Sequence, residues 1–490
     1  MLTPAEIKRL IKDDDKSKRK MAARVGERYY EAQHDILDYV VMYTDGDGVM
    51  QVDETKSNIR IPHAFFSEIV DQKAQYLLSN PDMLIRSDNP ELQSELDARF
   101  GDEFVDQLTE LATYASVHGW GYVYAYMGDD GRTHFDFASC LSVTEVDPEQ
   151  AEDGEAHVLY VYRTPRGKDQ IVTHVQDWTE TEVYSYISVS KDDEIKKLEE
   201  DPAISPNPRP HKLYQESQGG QMFGSDYGRI PFFRMDNNRN QKSDLSAIKA
   251  LIDDYDLMAC GLSNNLQDIT EGIYVVKGWE GDNLSTLIEN VRKKKTIGLP
   301  EGGDLDVRTI SVPFEARQAK LDLDQMNIYR FGMAFNSAQV GDGNVTNVVI
   351  KSRYALLDLK CNKAEMRLRA LLWQLVDCAL EEINRTNGTA HERSNVWLDL
   401  SRTIISSELD DENIKRARAE RQLTELNQIM LAAPLLDDDT VVQTICEILD
   451  IDYEEIKDKL PKDPYDLSAA AKMLEDAEAT APPISGGADA

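Results

Sequence analysis

Leu245, Ile248, Ile252, Tyr255, Ala259, Leu262, Leu266 and Ile269 follow one another at alternating intervals of three and four residues. That spacing lays an apolar seam along one face of an α-helix, and Ser243 or Asp244 can cap its start. Asp253, Asp254, Gly261, Asn264 and Asp268 fall off the seam. A second helix is expected from about Pro313 to Phe335, with Ala319, Leu323 and Met326 on one side and Asp322 and Asp324 off it. A third run, Ile350, Tyr354, Leu357, Cys361, Ala364, Leu368, Leu371, Leu375 and Cys378, again steps by four and three. Asn387-Gly388 supplies the residue types that accept a left-handed helix cap. The third helix is then on the order of 60 Å long at 1.5 Å per residue.

Between the first two helices, GIYVVKGW reads as a strand, NLSTLIENVRKKK as a helix and TIGLPEGGDLDVRTISV as strands and turns. Two helices that run out and back around a small lobe make an arm on the order of 35–40 Å long. The polar stretch QVGDGNVTN, Gln339 to Asn347, interrupts the helical pattern before the third run. Upstream, residues 1–40 are helical in pattern. Asn58–Pro81 carries a helix with Phe66, Ile69, Val70 and Leu77 on one face, and another is expected over roughly Pro90–Val117. From Trp120 to Ser190, alternating runs (WGYVYAYM, AHVLYVYR, QIVTHVQ, TEVYSYISV) predict an antiparallel meander. Residues 191–228 read as a long exposed loop, VWLDLS as a short strand, and 408–475 as shorter helices before a loose tail. The fold class is α+β, mainly helical.

The charge excludes one class of function. With 54 Lys and Arg against 89 Asp and Glu, the net charge is −35. A protein that grips nucleic acid through a broad basic face needs the opposite balance. A protein past which DNA slides without sticking does not, because repulsion helps it. The dense cationic stretch Arg292, Lys293, Lys294, Lys295 is either a helix C-terminus answering its dipole or a contact surface on the arm tip. KSKRK (Lys16 to Lys20) reads as a solvated helix face.

Catalytic signatures are missing. Read as an EF-hand from Asp342, the loop has Asn347 at the glycine position and Arg353 at the glutamate position. Asp45 fails the same tests at Met50 and Lys56. GxxxxGK[ST], GxSxG and HExxH do not occur. The eight histidines sit at no metal-ligand spacing, and the five cysteines form no CxxC, so they are expected to be small buried residues. No cofactor, metal or enzyme activity is expected. No run is long and apolar enough to cross a membrane, and the charged N-terminus does not read as a signal peptide.

Three stretches carry a resemblance: NIRIPHAFFSEIVDQKAQYLLSNP (58–81), RIPFFRMDNNRNQKSDLSAIKALIDDYDLMACGLSNNLQD (229–268) and NVTNVVIKSRYALLDLKCNKAEM (344–366). In their order and spacing, with the insert between two helices, they resemble the portal proteins of long-tailed bacteriophages of Gram-positive hosts. The resemblance covers roughly residues 50–400, and the last ninety residues do not match residue by residue.

The resemblance implies a ring of about twelve subunits around a channel. Residues 1–242 would be the wing, 243–269 and 313–335 the stem, 270–312 the clip and 336–348 the tunnel loop. Residues 349–405 would be a long wing helix and strand, 406–475 the crown and 476–490 a flexible tail. It implies a conduit for double-stranded DNA, bound non-specifically, at one vertex of the virion, made in the host cytoplasm. Implied partners are the terminase large subunit, head-completion or adaptor proteins, and the major capsid and scaffolding proteins. Asn336, Gln339, Gly341, Asp342, Gly343, Asn344 and Asn347 would ring the DNA, with Lys351 as a phosphate contact. Asp253, Asp254, Asp322 and Asp324 would line the wall, and Arg292 to Lys295 would meet a partner at the clip. Two other readings remain, a metal-dependent phage nuclease and a monomeric acidic adaptor.

Overall fold

The computed structural model describes residues 1–54, 56–80, 84–128, 130–167, 169–192, 194–215, 222–268, 273–277, 304–308, 313–336, 347–402, 408–432, 438–449 and 453. These fall into two compact units, one of residues 1–342 and 353–404, the other of residues 343–352 and 405–490.

The first unit opens with helices α1 (Pro4–Asp15) and α2 (Lys18–Tyr30). Thr3 and Ser17 cap them, their hydroxyls accepting from the amides of Glu6 and Lys20. An exposed hairpin follows, β1 (Met42–Thr44) with β2 (Met50–Val52), then α3 (Phe65–Leu77) and the short β3 (Ile85–Arg86). The helix expected over 90–117 is two helices, α4 (Pro90–Asp97) and α5 (Asp102–His118). The break falls at 98–101, where Gly101 takes an extended conformation as the N-cap of α5. Helix α5 ends at Gly119, φ 106°, where a Cβ would lie 2.3 Å from the Gln241 carbonyl oxygen. Only glycine serves there.

The alternating runs do not form one meander. Strand β4 (Trp120–Met127) turns back through β5 (Thr133–Ser139). Strands β6 (Val143–Val146), β7 (His157–Arg166), β8 (Gln170–Trp178) and β9 (Glu182–Ser190) make a second antiparallel sheet, extended by β10 (Glu199–Glu200) and β11 (Arg209–Pro210), both paired to β9. A third pair, β12 (Lys212–Gln215) with β13 (Met222–Ser225), precedes β14 (Phe232–Asp236), which joins the far side of β4. Alternation fixes which residues point to which face but not which strands pair. The expected loop at 191–228 therefore contributes strands, and Leu198, His211, Lys212 and Tyr227 are buried in it.

Four apolar clusters tie this unit together. Leu2, Ile7 and Ile11 of the N-terminal segment pack on Leu159, Val161 and Val175 of the second sheet. Trp120, Tyr122, Val158 and Trp178 join the two sheets. Helix α6 (Lys249–Asp268) follows a short 3-10 turn at Asp244–Ala247. Strands β15 (Ile273–Lys277) and β16 (Asp304–Arg308) pair with each other, and α7 (Phe314–Gly332) packs against α6. Ile248 and Ile252, with Ile328 and Tyr329 of α7, meet Phe66, Ile69 and Val70 of α3. Helix α8 (Asn347–Asn387) is 41 residues long and ends at Gly388, φ 67°. Its Leu368, Leu371, Leu372 and Leu375 are buried against Leu108, Leu111, Val123 and Phe135. Strand β17 (Trp397–Leu398) pairs with β3.

In the second unit, α9 (Glu408–Ala432) packs on α10 (Asp438–Leu449), where Val441 and Cys446 are buried and Gln422 donates to the Ile448 carbonyl at 2.9 Å. All five cysteines are buried and free.

Candidate functional site: the paired helices and their anchors

Helices α6 and α7 carry the acidic residues singled out in the sequence. Asp253 accepts from Lys249 at 2.7 Å and from the Tyr29 hydroxyl. Lys249 also bridges to Asp35 at 2.6 Å. Burial would raise the Asp35 carboxyl, but Lys249 and Arg28 hold it at about 2. Asp254 faces α7, where Lys320 donates to it at 2.6 Å and also pairs with Asp324 one turn on. Asp322 is exposed and accepts from Gln318 at 2.8 Å. Asp324 is 2% exposed, on the buried side of α7 with Leu321 and Ile328.

The seam of α6 is covered only at its base, and the side expected to be apolar on α7 is not the buried one, since Ala319, Leu323 and Met326 are exposed and Leu321, Asp324 and Ile328 are buried instead. Leu245, Ile248 and Ile252 are buried, whereas Leu257 and Leu266 on α6 are exposed. So are Leu323, Met326 and Phe331 on α7. These helices therefore expose large apolar side chains on more than one face, since Leu257 and Leu266, nine residues apart, lie on opposite sides of α6.

The other side of α6 is a polar stripe at four-residue spacing: Asp256, Cys260, Asn264 and Asp268. The extended segment 57–63 runs along it in the opposite direction. The amides of Ser57, Ile59, Ile61 and His63 donate in turn to Asp268 (3.2 Å), Asn264 (2.7 Å), Cys260 Sγ (3.3 Å) and Asp256 (3.0 Å). Two extended residues span about 6–7 Å and four helical residues about 6 Å, so the two periods stay in step. Helix side chains thus satisfy a strand-like backbone that has no sheet to join. The sequence signal was available in the alternation of SNIRIPH opposite an i, i+4 polar stripe, but the stripe reads as solvent-facing when taken alone.

Asp256 closes this ladder. It is fully buried and accepts from His34 Nδ1 at 2.6 Å and His63 Nδ1 at 2.7 Å. Burial pushes its carboxyl up, but the two histidine hydrogen bonds outweigh this and hold it below its usual value. Tyr29 stacks on His34 at 4.4 Å.

A second anchor joins the arm base to α8. Asp244 accepts from Lys73 of α3 and pairs with Lys360 of α8, each at 3.0 Å, and Asn237 Nδ2 donates to it at 2.9 Å. Lys360 also donates to the Gly332 carbonyl at the end of α7, at 2.8 Å. Burial would raise the Asp244 carboxyl, yet the two lysines hold it well below the usual carboxylate range.

Residues 337–346, with Gln339, Gly341, Asp342, Gly343 and Asn344, lie outside the described residues, as do Arg292, Lys293, Lys294 and Lys295. Asn347 and Lys351 fall in the first turns of α8, their side chains outside the description. Asn336 is the last described residue before the gap, and its neighbour is fixed. Phe335 exchanges backbone hydrogen bonds with the Gln72 amide at 3.0 and 2.9 Å, and its ring stacks on Tyr354 of α8 at 4.9 Å.

Among the described residues, the group with metal-like spacing is Asp153, Glu155 and His157. Asp153 already holds the Met1 amino group, and the His157 ring is shared between Asp177 (2.7 Å) and Asp153 (3.2 Å). Lys20, expected on a solvated face, is instead 2% exposed and paired with Asp14 at 2.7 Å. Its own helix turns it toward β6.

A family model described as phage portal protein, SPP1 Gp6-like, matches residues 9–458. The portal protein of Bacillus phage SPP1 is 31% identical over 350 residues, which is 70% of this chain and 67% of that one. The portal protein of Clostridium phage phiCD119 is 25% identical over 408 residues, 79% of this chain and 83% of that one. Among solved structures, a chain from the neck of a native GTA particle, computed with C12 symmetry, matches with a TM-score of 0.35 and 14% identity, covering 78% of this chain and 90% of that one.

Proposed function

Because the chain belongs to the SPP1 Gp6-like family of phage portal proteins, we propose that about twelve copies close into a ring around an axial channel at one capsid vertex. Helices α6 and α7 are its stem, residues 270–312 its clip and 336–348 its tunnel loop. Residues 406–475 form the crown, and the sheets with α8 form the wing. Double-stranded DNA passes through during packaging and again during ejection. The terminase large subunit docks on the ring while the head fills, with Arg292 to Lys295 of the clip as contacts, and head-completion proteins bind later. The role is that of a conduit and platform rather than a catalyst, with the major capsid and scaffolding proteins as further partners during assembly.

The observation that carries this reading is the composition of the α6 and α7 faces. Leu257, Leu266, Leu323, Met326 and Phe331 are exposed in the single subunit. Neighbours on both sides in a ring would cover such residues. Asp253, Asp254 and Asp322 are then the acidic wall. Asp324 acts behind them by holding Lys320, so that the lysine cannot reach a passing phosphate. An acidic lumen repels DNA weakly at physiological salt, where the screening length is about 8 Å, and so discourages sticking. The residue before the loop is firmly held, since Phe335 and Tyr354 are stacked on each other.

The test is sedimentation of the purified chain beside a Leu323→Asp, Met326→Asp variant. The wild type should sediment as a ring-sized species and the variant as smaller ones. A wild type that stays a single subunit at high protein concentration and several salts would remove the reading.

A further inference from the structure

A groove of about 840 Å³ opens where β3, the end of α4, the first half of α5 and Trp397 of β17 meet. Its apolar part is built from Phe100, Val105 and Trp397. Phe100 is half-buried and held, stacking on Phe135 at 5.1 Å and meeting Phe104 edge-on at 5.0 Å. Trp397 stands opposite Arg86 in the β3–β17 pair and is 41% exposed. Strand β3 is closed on its other side, because the Gln93 side chain donates to the Ile85 carbonyl at 3.3 Å and accepts from the Ser87 amide at 2.6 Å. Those are bonds that an added strand would otherwise make, so recognition in this groove falls to side chains. The polar part is acidic. Asp97, Asp102 and Asp106 line it and are all exposed, and the one cation of the lining, Arg86, is engaged by Asp399 at 3.9 Å. Among the described residues, Asp97 has only the neutral Gln93 as donor, at 2.7 Å, and Asp102 and Asp106 have no ion pair or hydrogen bond. The dipole of α5 accounts for Asp102 in its first turn. It does not account for Asp106, which sets like charge four residues from like charge on the same helix face.

We propose that this groove docks a short segment of another protein that carries Lys or Arg beside a large apolar side chain. Charge complementarity selects the sign of the occupant, since the unpaired carboxylates attract cations and repel a nucleic-acid backbone. A single metal ion does not fit. The three carboxylates form no group at metal-ligand spacing among the described residues, unlike Asp153, Glu155 and His157. Their charge is spread along the groove, as separate side-chain cations require. Trp397 supplies the other half of the match, a ring face for an ammonium or guanidinium and an apolar wall for its neighbour. None of these residues belongs to α6 or α7, so the proposal does not depend on the role of those helices.

Fluorescence anisotropy of a short labelled peptide of alternating lysine and leucine, titrated with the full chain, tests it. Binding should weaken as salt rises. Asp102→Asn with Asp106→Asn, both at exposed positions, should weaken it about tenfold, and Trp397→Ala should do so by a similar factor of about ten. Glu149→Gln with Glu152→Gln makes the same charge change in the exposed turn before β7. That pair should leave binding within about twofold, because two charges hardly alter a net charge of −35. Peptides alternating lysine with serine, or glutamate with leucine, should bind about tenfold more weakly or worse. No binding of the lysine–leucine peptide at low salt overturns the proposal. So does equal binding by wild type and the groove variants, or an equal loss in the remote pair. Sedimentation of the same variants covers the other occupant: if they lose self-association while the peptide binds neither them nor the wild type, the groove belongs to a second copy and the proposal fails.

Discussion

Replacing Asp256 by alanine should free segment 57–63 from α6 while leaving the rest of the unit folded. The carboxylate is fully buried and accepts three hydrogen bonds, from His34 Nδ1, His63 Nδ1 and the His63 amide. Removing it leaves His34, itself 1% exposed, with a ring nitrogen facing no acceptor. Losing one partner of a buried charge-assisted set costs about 3–5 kcal/mol. The remaining rungs are weaker at Asn264, a single hydrogen bond, and at Cys260, a pair of long sulfur contacts with Ile61, while Asp268 holds both the amide and the hydroxyl of Ser57; neutral hydrogen bonds are worth about 1 kcal/mol each. Hydrogen exchange followed by mass spectrometry reads this directly. Peptides covering 57–63 should lose about a hundredfold or more of their protection, since about 1.4 kcal/mol corresponds to tenfold. Peptides from β7 and β8 should not change. Asp256→Asn keeps one acceptor oxygen and should fall between the two. Unchanged protection over 57–63 in the alanine variant would refute the ladder, and uniform loss across the unit would show that Asp256 holds far more than that segment.

Three further outcomes are expected. Lys360→Met removes the link from α8 to both Asp244 and the Gly332 carbonyl; it should lower stability by about 2–4 kcal/mol, measured by thermal or denaturant unfolding, and a loss below about 0.5 kcal/mol would remove this anchor from the account. Asp244 and Asp256 both have lowered folded-state values. The stability they add is therefore fully present above the unfolded carboxylate value of about 3.9 and is lost as pH falls through their folded values. Melting temperatures taken between neutral pH and pH 3 should show that loss for wild type, and a shallower one for Asp256→Asn. Replacing both Gly341 and Gly343 by valine should leave assembly intact but impair DNA packaging in vitro; normal packaging would take the loop out of the mechanism.

Much of the helical architecture was legible because apolar periodicity reports burial directly. The seam from Leu245 to Ile252 and the run through Leu368, Leu371 and Leu375 are core, and Asn387-Gly388 does end the long helix. Strand partnership was not legible. WGYVYAYM alternates in the same way as its neighbours, yet it pairs with Thr133–Ser139 and Phe232–Asp236 rather than with them. Polar residues misled most. Asp324, expected on the channel wall, is buried by the packing of α7, and Asp256, which drew no expectation, is buried by His34 and His63, partners distant in sequence. Lys20 was misread for the same reason, since Asp14 and Thr144 lie on different elements. A candidate site made of paired charges is set by tertiary contacts, and a single chain read residue by residue does not contain them.

The central claim is that copies of this chain surround a DNA-sized channel. Electron microscopy of the purified protein viewed end-on tests it most directly. Rings of about twelve subunits, with a central hole wide enough for a duplex roughly 20 Å across and with α6 and α7 lining it, are the predicted result. Compact monomers or dimers with no central hole, at high protein concentration and across several salts, would contradict it.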